Sequence, residues 1–138
     1  TWQKTNPPPN LACRCFTHST ETILWAKKND KKSRHFFDYQ KMKEMNGGKQ
    51  MKDVWTGALT KPSEKTEGKH PTQKPEYLLE KIVLASTEEG QVILDPFCGS
   101  GTTGVEAVRF GRKFIGIDVS EEYLEISKRR LEKVANDK

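Results

Sequence analysis

The sequence is short of cysteine and of long apolar runs, and each shortage excludes a class of protein. It has three cysteines, Cys13, Cys15 and Cys98, too few for a disulfide framework. The "CRC" pair also lacks the second Cys/His pair that a structural zinc site needs, so we expect no metal site. No stretch approaches the ~20 apolar residues of a membrane-spanning helix, and no signal-peptide pattern opens the chain. A soluble, cytoplasmic protein is expected.

Hydrophobic residues are also scarce, and the charge is unevenly distributed. The hydrophobic fraction is 33% and the charged fraction 31%, so extended polar segments must accompany one modest core. Between Lys27 and Lys69 there are 12 Lys/Arg against 6 Asp/Glu, whereas the net charge of the whole chain is only +5. A basic segment beside a nearly neutral remainder suits a polyanion such as DNA. A lysine-rich solvated loop would have the same composition.

The pattern of secondary structure changes near Lys69. Before it, Trp2 and residues 21–28 are predicted as strands, residues 35–39 as a short strand and residues 39–45 as a helical turn. The later elements are, in order, a helix over 75–87 with Pro75 at its first position, a strand over 91–95, a loop and helix over 99–110, a strand over 112–118 and a helix over 120–134 capped by Ser120. Strands that alternate with helices predict an α/β fold with a mostly parallel sheet.

The stretch "VILDPFCGSGTTG" carries the clearest chemical signal. Gly99, Gly101 and Gly104 satisfy the GxGxxG spacing between a predicted strand and a predicted helix, where glycines let backbone N–H groups approach a ligand. Asp118 ends the next predicted strand, 19 residues after Gly99. A carboxylate there can accept both ribose hydroxyls of an adenosine. The pattern therefore predicts a nucleoside cofactor, and a side chain placed at Gly101 is expected to occupy ligand space.

The residues before the glycines bear on which cofactor this is. Asp95 and Pro96 stand at the carboxyl end of the strand, where a negative charge would repel a pyrophosphate but attract an ammonium group. S-adenosylmethionine carries an ammonium, a sulfonium and an adenosine, so it suits an acid at both strand ends. Two alternatives stay open: a dinucleotide-dependent dehydrogenase, and a structural role in which Asp95 caps the helix and the glycines only make a tight turn.

Three motifs together resemble a known family. "DPFCGSGTTG", followed by "GIDVSEEY" and preceded by "HPTQKPEYLLEKIV", resembles the β-class S-adenosylmethionine-dependent DNA amino-methyltransferases. "TWQKTNPPPNL", "FTHSTETILWAKK" and "MKDVWTG" are similar to the central part of GATC-directed adenine-N6 methyltransferases of restriction-modification systems. The resemblance covers essentially the whole chain. It implies a Rossmann-like methyltransferase fold and methyl transfer from S-adenosylmethionine to the exocyclic amine of a flipped base in DNA.

The resemblance also implies roles for individual residues. Asp118 would bind the ribose, Thr72 and Lys74 would lie near the cofactor's carboxylate, and His70 is interpreted as ordering its loop rather than acting as a base. The other cofactor-binding positions are Asp95, Phe97, Gly99, Ser100, Gly101 and Thr102. The predicted DNA-phosphate contacts are Lys31, Lys32, Arg34, Lys49 and Lys52, with Gln50 or Asn46 as candidate readers of base edges.

The family's catalytic tetrad, Asp/Asn/Ser-Pro-Pro-Tyr/Phe, is not recognisable in the chain. Asn6, Pro7 and Pro8 fit its first three positions, but Pro9 supplies no ring to stack on a base, so "NPPPN" is interpreted as a rigid loop near the DNA. We therefore expect no catalytic residue here and interpret the chain as the C-terminal part of an enzyme, inactive alone.

The resemblance divides the chain into three regions. Residues 1–28 would end the catalytic half, residues 29–69 would form the basic target-recognition region, and residues 70–138 would form the S-adenosylmethionine-binding half. The expected partners are DNA and either the catalytic half or a second copy of the chain. A cytosine-N4 methyltransferase and a non-catalytic DNA-binding accessory chain remain alternatives.

Overall fold

A computed structural model describes residues 1–29, 31–32 and 34–137. The first of its two sheets has three short strands, β1 (Trp2–Lys4), β2 (Thr20–Glu21) and β3 (Trp55–Gly57), in the order β2-β1-β3. β1 pairs antiparallel with β2 and parallel with β3. The indole of Trp2 is buried, and its Nε1 donates a hydrogen bond of 2.7 Å to the hydroxyl of Tyr77.

The second sheet consists of two parallel strands, β4 (Val92–Asp95) and β5 (Lys113–Gly116). Their register sets Asp95 opposite Gly116. The ladder continues past the strand ends, because Ile117 N–H donates to the Asp95 carbonyl at 2.9 Å and Cys98 N–H donates to the Ile117 carbonyl at 2.9 Å. The carboxyl ends of both strands therefore lie side by side at one edge of the sheet.

Four helices and one 3-10 turn complete the part of the chain that the structure describes. The helices are α1 (Tyr39–Met45), α2 (Glu76–Ser86), α3 (Thr102–Arg109) and α4 (Glu121–Asn136), and the 3-10 turn is Pro62–Lys65. α3 packs between α2 and α4 and against both strands of the second sheet. Ser120 caps α4 as predicted, its hydroxyl accepting a hydrogen bond of 3.3 Å from Tyr123 N–H. Pro75 precedes α2 as its N-cap residue rather than occupying the first helical position.

The predicted elements after Lys69 are confirmed to within one or two residues, and the α/β fold with them. Two predicted strands are wrong. Of residues 21–28 only Glu21 is in a strand, and residues 35–38 form none before α1 begins. Trp25 instead packs its ring against His35 and Phe37, at centroid distances of 5.5 and 5.1 Å. The aromatic residues of these segments thus contact one another and do not line a sheet.

The second sheet buries only one of its faces. Ile93 and Phe114 point toward α3, where Gly104 leaves room for the Phe114 ring. The opposite face consists of Val92, Leu94, Ile115 and Ile117, each more than half exposed. Parallel sheets are almost always covered on both faces, so this open face is an apolar surface without its usual cover.

Among the described residues, no helix is both long and apolar enough to cross a membrane.

A group of charged side chains, two of them buried, joins the three packed helices. Glu106 of α3 has no exposed surface and accepts a hydrogen bond from Arg109. Arg109 also bonds Glu76 at 2.8 Å, and Glu76 in turn bonds the buried Arg130 of α4 at 3.0 Å. Oε2 of Glu106 has no hydrogen-bond partner among the described residues. Burial raises the pKa of Glu106 to about 7, although the nearby Arg109 acts in the opposite direction.

Replacing Glu106 with glutamine should remove a pH dependence of stability. A carboxyl with a raised folded pKa favours folding fully below its ordinary pKa of 4.5, and this contribution is lost as the pH rises through about 7. We expect the unfolding free energy of the natural chain to fall relative to Glu106→Gln over this window, by up to ~1.4 kcal/mol per pH unit. Urea unfolding at stepped pH measures the difference. The exposed Glu122→Gln is the control, and a Glu106→Gln difference independent of pH would contradict the assignment.

Candidate functional site

The loop between β4 and α3 turns sharply at two glycines. Gly99 and Gly101 have φ angles of +51° and +74°, in the left-handed region that side chains other than glycine disfavour. Gly101 is the N-cap residue of α3, and its N–H donates to the Cys98 carbonyl at 2.8 Å. The loop therefore brings the start of α3 directly over the carboxyl ends of the two strands.

Both predicted carboxylates lie at this loop and hold it in place. Asp95 accepts hydrogen bonds from Phe97 N–H at 3.1 Å and from the Thr103 hydroxyl at 2.7 Å. Asp118, one strand away, accepts from Gly99 N–H at 2.8 Å and from Ser120 N–H at 2.9 Å. These backbone N–H donors, first Ser120 and then Gly99, lower the pKa of Asp118. Since a carboxylate oxygen accepts more than one hydrogen bond, both groups retain acceptor capacity toward a ligand.

The "HPTQKP" segment lies beside the glycine loop. A Cβ atom added to Gly99 would come within 2.9 Å of His70 Nε2. His70 Nδ1 accepts from Thr72 N–H at 3.2 Å, and the imidazole packs edge-on against Tyr123 at 4.2 Å. This arrangement agrees with the interpretation of His70 as a residue that orders its loop.

Lys74 of the same segment is paired with the first sheet. Its Nζ lies 2.7 Å from Glu21 Oε2, and Lys4 bonds the other oxygen of Glu21 at 2.9 Å. Burial acts to raise the pKa of Glu21, but the hydrogen bonds from the two lysines outweigh it and lower the pKa. Lys74 also lies 5.9 Å from the centre of the Trp2 ring. A ligand carboxylate at Lys74 would therefore share this ammonium group with Glu21.

Arg130 anchors the underside of the loop, and the sequence reasoning missed it. Its Nη1 donates to the Ser100 carbonyl at 2.8 Å and to the Thr102 hydroxyl at 3.0 Å. Ser100 and Thr102 were predicted to bind the cofactor, but their side chains are buried beside Arg130, which leaves only their backbone for a ligand. The signal was available, because Arg130 falls on the same helical stripe as the buried Ile126 and Ser127.

The expectation for Gly101 is wrong. A side chain at Gly101 would not enter ligand space, since its Cβ would lie 2.0 Å from Ser127 Oγ on α4. That glycine is required for the approach of α4. Phe97, in contrast, is 86% exposed and Val119, which follows Asp118, is fully exposed. Of these two exposed apolar side chains at the edge of the site, only Phe97 is among the predicted cofactor-binding residues.

The predicted DNA-contact residues lie on the surface of the basic region. Lys31, Lys32, Arg34, Lys49 and Lys52 are all exposed. Asn46, a candidate reader of bases, uses its side-chain amide to bond the carbonyls of Lys49 and Gln50 at 3.1 and 3.0 Å. It therefore shapes the loop that follows α1 and has only its side-chain oxygen left for other contacts.

The "NPPPN" loop is held by its first residue. Asn6 Oδ1 accepts a hydrogen bond of 2.8 Å from Leu59 N–H, and Thr5 N–H donates to the Gly57 carbonyl at 3.0 Å. The side-chain oxygen that a catalytic tetrad would direct at an amine is thus engaged with the backbone. This supports the interpretation of the segment as a rigid loop.

Comparison with known proteins identifies relatives over the whole chain. A family model described as "DNA methylase" matches residues 1–129. The type II methyltransferases M2.LlaDCHI of Lactococcus lactis subsp. cremoris and M2.DpnII of Streptococcus pneumoniae are 75% and 74% identical over 98% and 96% of this chain, but over only 50% and 49% of their own lengths. The chain therefore spans about half the length of these curated relatives.

The chain also matches solved structures. The crystal structure of an M1.HpyAVI–SAM complex matches 94% of this chain and 59% of its own, with a TM-score of 0.76 and 39% identity. The cytosine-N4-specific PvuII DNA methyltransferase matches with a TM-score of 0.59 and 24% identity, which shows a shared fold alone.

Gly101→Ala should destabilise the fold more than a left-handed glycine alone would explain. Gly90 is a matched control, because its φ is +81° and nothing lies within 4 Å of an added Cβ. Gly90→Ala should lose about 1–2 kcal/mol of unfolding free energy from backbone strain. Gly101→Ala should lose a further ~1–3 kcal/mol from the overlap with Ser127, as measured by urea unfolding. Equal losses would contradict the close packing of α4 on the loop.

Proposed function

Because the chain belongs to the DNA methylase family, we propose that it forms the S-adenosylmethionine-binding half of a DNA methyltransferase. The reaction we assign to the complete enzyme is methyl transfer to adenine N6, at GATC sites, within a restriction-modification system. The observation that carries the proposal is the pair of carboxylates, Asp95 and Asp118, at the ends of adjacent strands with the glycine loop between them. Adenine and GATC rest on the motif resemblance.

The residues at the loop fit this cofactor chemically. Asp118 stays ionised because two N–H groups lower its pKa, and it has acceptor capacity for the two ribose hydroxyls. Asp95 offers a negative charge for the α-ammonium group. Phe97 and Val119 supply exposed apolar surface for the adenine ring. Lys74, with Thr72, is assigned to the carboxylate, where the ligand would compete with Glu21 for the ammonium group.

The bound cofactor supplies a methyl group on a sulfonium, which an amine can attack directly. This chain contributes binding and orientation, since its carboxylates and loop N–H groups fix the cofactor. In the complete enzyme, the family's catalytic tetrad Asp/Asn/Ser-Pro-Pro-Tyr/Phe would hold the amine of the flipped base. Asn6 is bonded to Leu59 N–H and Pro9 has no ring, so we assign that task to residues outside these 138.

The open face of the second sheet indicates where those residues pack. Val92, Leu94, Ile115 and Ile117 form the uncovered side of two parallel strands, and the relatives have about as much chain again outside the matched region. We assign this face to the catalytic half rather than to a second copy of the chain. Residues 70–138 would then be the cofactor half, 29–69 the DNA-contact region and 1–28 the junction between them. We place the enzyme in the cytoplasm, where bacterial DNA lies.

Isothermal titration with S-adenosylmethionine tests the cofactor site. We expect the natural chain to bind it and Asp118→Ala to weaken binding about tenfold or more, because hydrogen bonds to a charged group are lost. Glu122→Gln, an exposed change two residues after the Ser120 cap, is the matched control and should bind normally. Retained affinity in a folded Asp118→Ala would overturn the assignment. DNA binding without any cofactor affinity would favour the accessory-chain alternative.

Complementation tests the open face. Coexpression with the part of M2.LlaDCHI outside the matched region should give a complex that methylates DNA. Leu94→Glu, which puts a charge in the middle of the open face, should abolish the complex. Leu11→Glu is the control, since Leu11 is also exposed but lies far from the second sheet in sequence. Pull-down and a methylation assay report the result, and equal behaviour of the two variants would contradict the role of this face.

A further inference from the structure

A cavity lies away from the cofactor loop, between the loop after α1, strand β3 and helix α2. It has a volume of about 430 Å³, within the usual range for small-ligand sites. Met51, Val54 and Trp55 give it apolar and aromatic walls, and Lys49, Lys52 and Lys81 bring three ammonium groups to it. None of its lining residues belongs to the glycine loop or to the strand ends that carry Asp95 and Asp118.

We propose that this cavity binds one nucleotide unit of the DNA substrate, with the lysines on a phosphate and Trp55 against the base or sugar. The proposal rests on the proposed DNA-methylating function. It adds Trp55 and Lys81, which the sequence reasoning did not connect with DNA, to the predicted contacts Lys49 and Lys52.

The charged side chains that line the cavity are all positive. No carboxylate is among its lining residues, and within the described chain none of its three lysines forms a salt bridge. Elsewhere in the described structure lysines such as Lys4, Lys74 and Lys133 are paired with glutamates. Three ammonium groups without a salt bridge in the described chain attract an anion, and phosphate is the anion that DNA presents at every nucleotide.

The side chains are already held for binding. Lys81 Nζ lies 5.7 Å from the centre of the Trp55 ring and 5.8 Å from that of Tyr77, within cation–π range. The indole N–H of Trp55 donates to the Lys52 carbonyl at 2.8 Å, which fixes the ring. Asn46 bonds the carbonyl of Lys49. A site ordered before binding loses less conformational entropy when it is occupied.

The apolar walls distinguish a nucleotide from a bare phosphate. Lysines alone would suit any polyanion, but an indole with Met51 and Val54 beside it also suits a flat, weakly polar ring. Aromatic contacts with bases are tolerant of sequence because every base has such a ring. DNA supplies the anion and the ring at the spacing of one nucleotide, which is why we assign the site to DNA rather than to an acidic lipid surface.

Fluorescence anisotropy with a labelled GATC-containing duplex over a range of salt concentrations tests the site. The variant Lys52→Gln/Lys81→Gln should reduce the magnitude of the slope of log K against log salt by about 0.9, which is the contribution of the one phosphate that these lysines would hold. Lys113→Gln/Lys128→Gln makes the same charge change at exposed positions outside the cavity and should leave the slope nearly unchanged. Equal slopes for the two variants would overturn the proposal.

Trp55 provides a second readout that a charge effect would not give. Trp55→Ala should weaken DNA binding about tenfold without changing the salt slope, because base contacts release no counterions. Trp55→Phe keeps a ring and should retain most of the affinity, so it guards against misfolding of the alanine variant. Full affinity in a folded Trp55→Ala would overturn the assignment of the ring.

Measuring cofactor binding alongside DNA binding separates a failure of this proposal from a failure of the function on which it rests. If S-adenosylmethionine still binds while the cavity variant binds DNA like its control, the cavity assignment fails and the methyltransferase proposal stands. If the natural chain binds neither cofactor nor DNA, the proposed function fails. Cosedimentation with phosphatidylglycerol vesicles that depends on Lys52 and Lys81, with DNA binding unaffected, would overturn the proposal in favour of a membrane surface.

Discussion

The site depends on one hydrogen bond between the loops that follow neighbouring strands, from Gly99 N–H to the Asp118 carboxylate at 2.8 Å. It ties the loop after β4 to the second residue after β5, and Gly99 has a left-handed backbone at this point. Asp95 performs the same task within its own loop through Phe97 and Thr103. The acidic groups that give the site its charge are therefore also the groups that shape it.

Charged side chains on the helices also support the glycine loop. Arg130 joins the Ser100 carbonyl to Glu76, so α4, the loop and the start of α2 are held by one guanidinium group. Arg109 and Glu106 extend the group across α3. Buried charges are tolerated when they are paired and hydrogen-bonded. Glu106 is bonded through one oxygen only among the described residues, and its burial raises its pKa to about 7. The helices thus position the loop with polar contacts as well as apolar packing.

The molecule presents three distinct surfaces. The glycine loop offers two carboxylates and suits a cationic cofactor, the cavity at Trp55 offers ammonium groups and suits an anion, and the open face of the second sheet is apolar and suits protein. Because the first two surfaces carry opposite charges, they favour different ligands. This separation fits the proposed function, in which a sulfonium cofactor and DNA occupy different sites.

The sequence by itself determined the elements after Lys69 and the glycine loop, because helical and strand periodicity, Ser120 as a cap and the glycine spacing are local signals. Before Lys69 it determined the strand at Trp2 and the helix over 39–45, but not the extent of the other strands. Residues 21–28 have the composition of a strand, but a strand forms only where another strand edge pairs with it. Of these residues only Glu21 pairs with β1, whose other neighbour is Trp55 of β3. Tertiary structure alone decided that Ser100 and Thr102 face Arg130, that Gly101 faces Ser127, and that Lys81 meets Trp55, since each contact joins residues far apart in the chain.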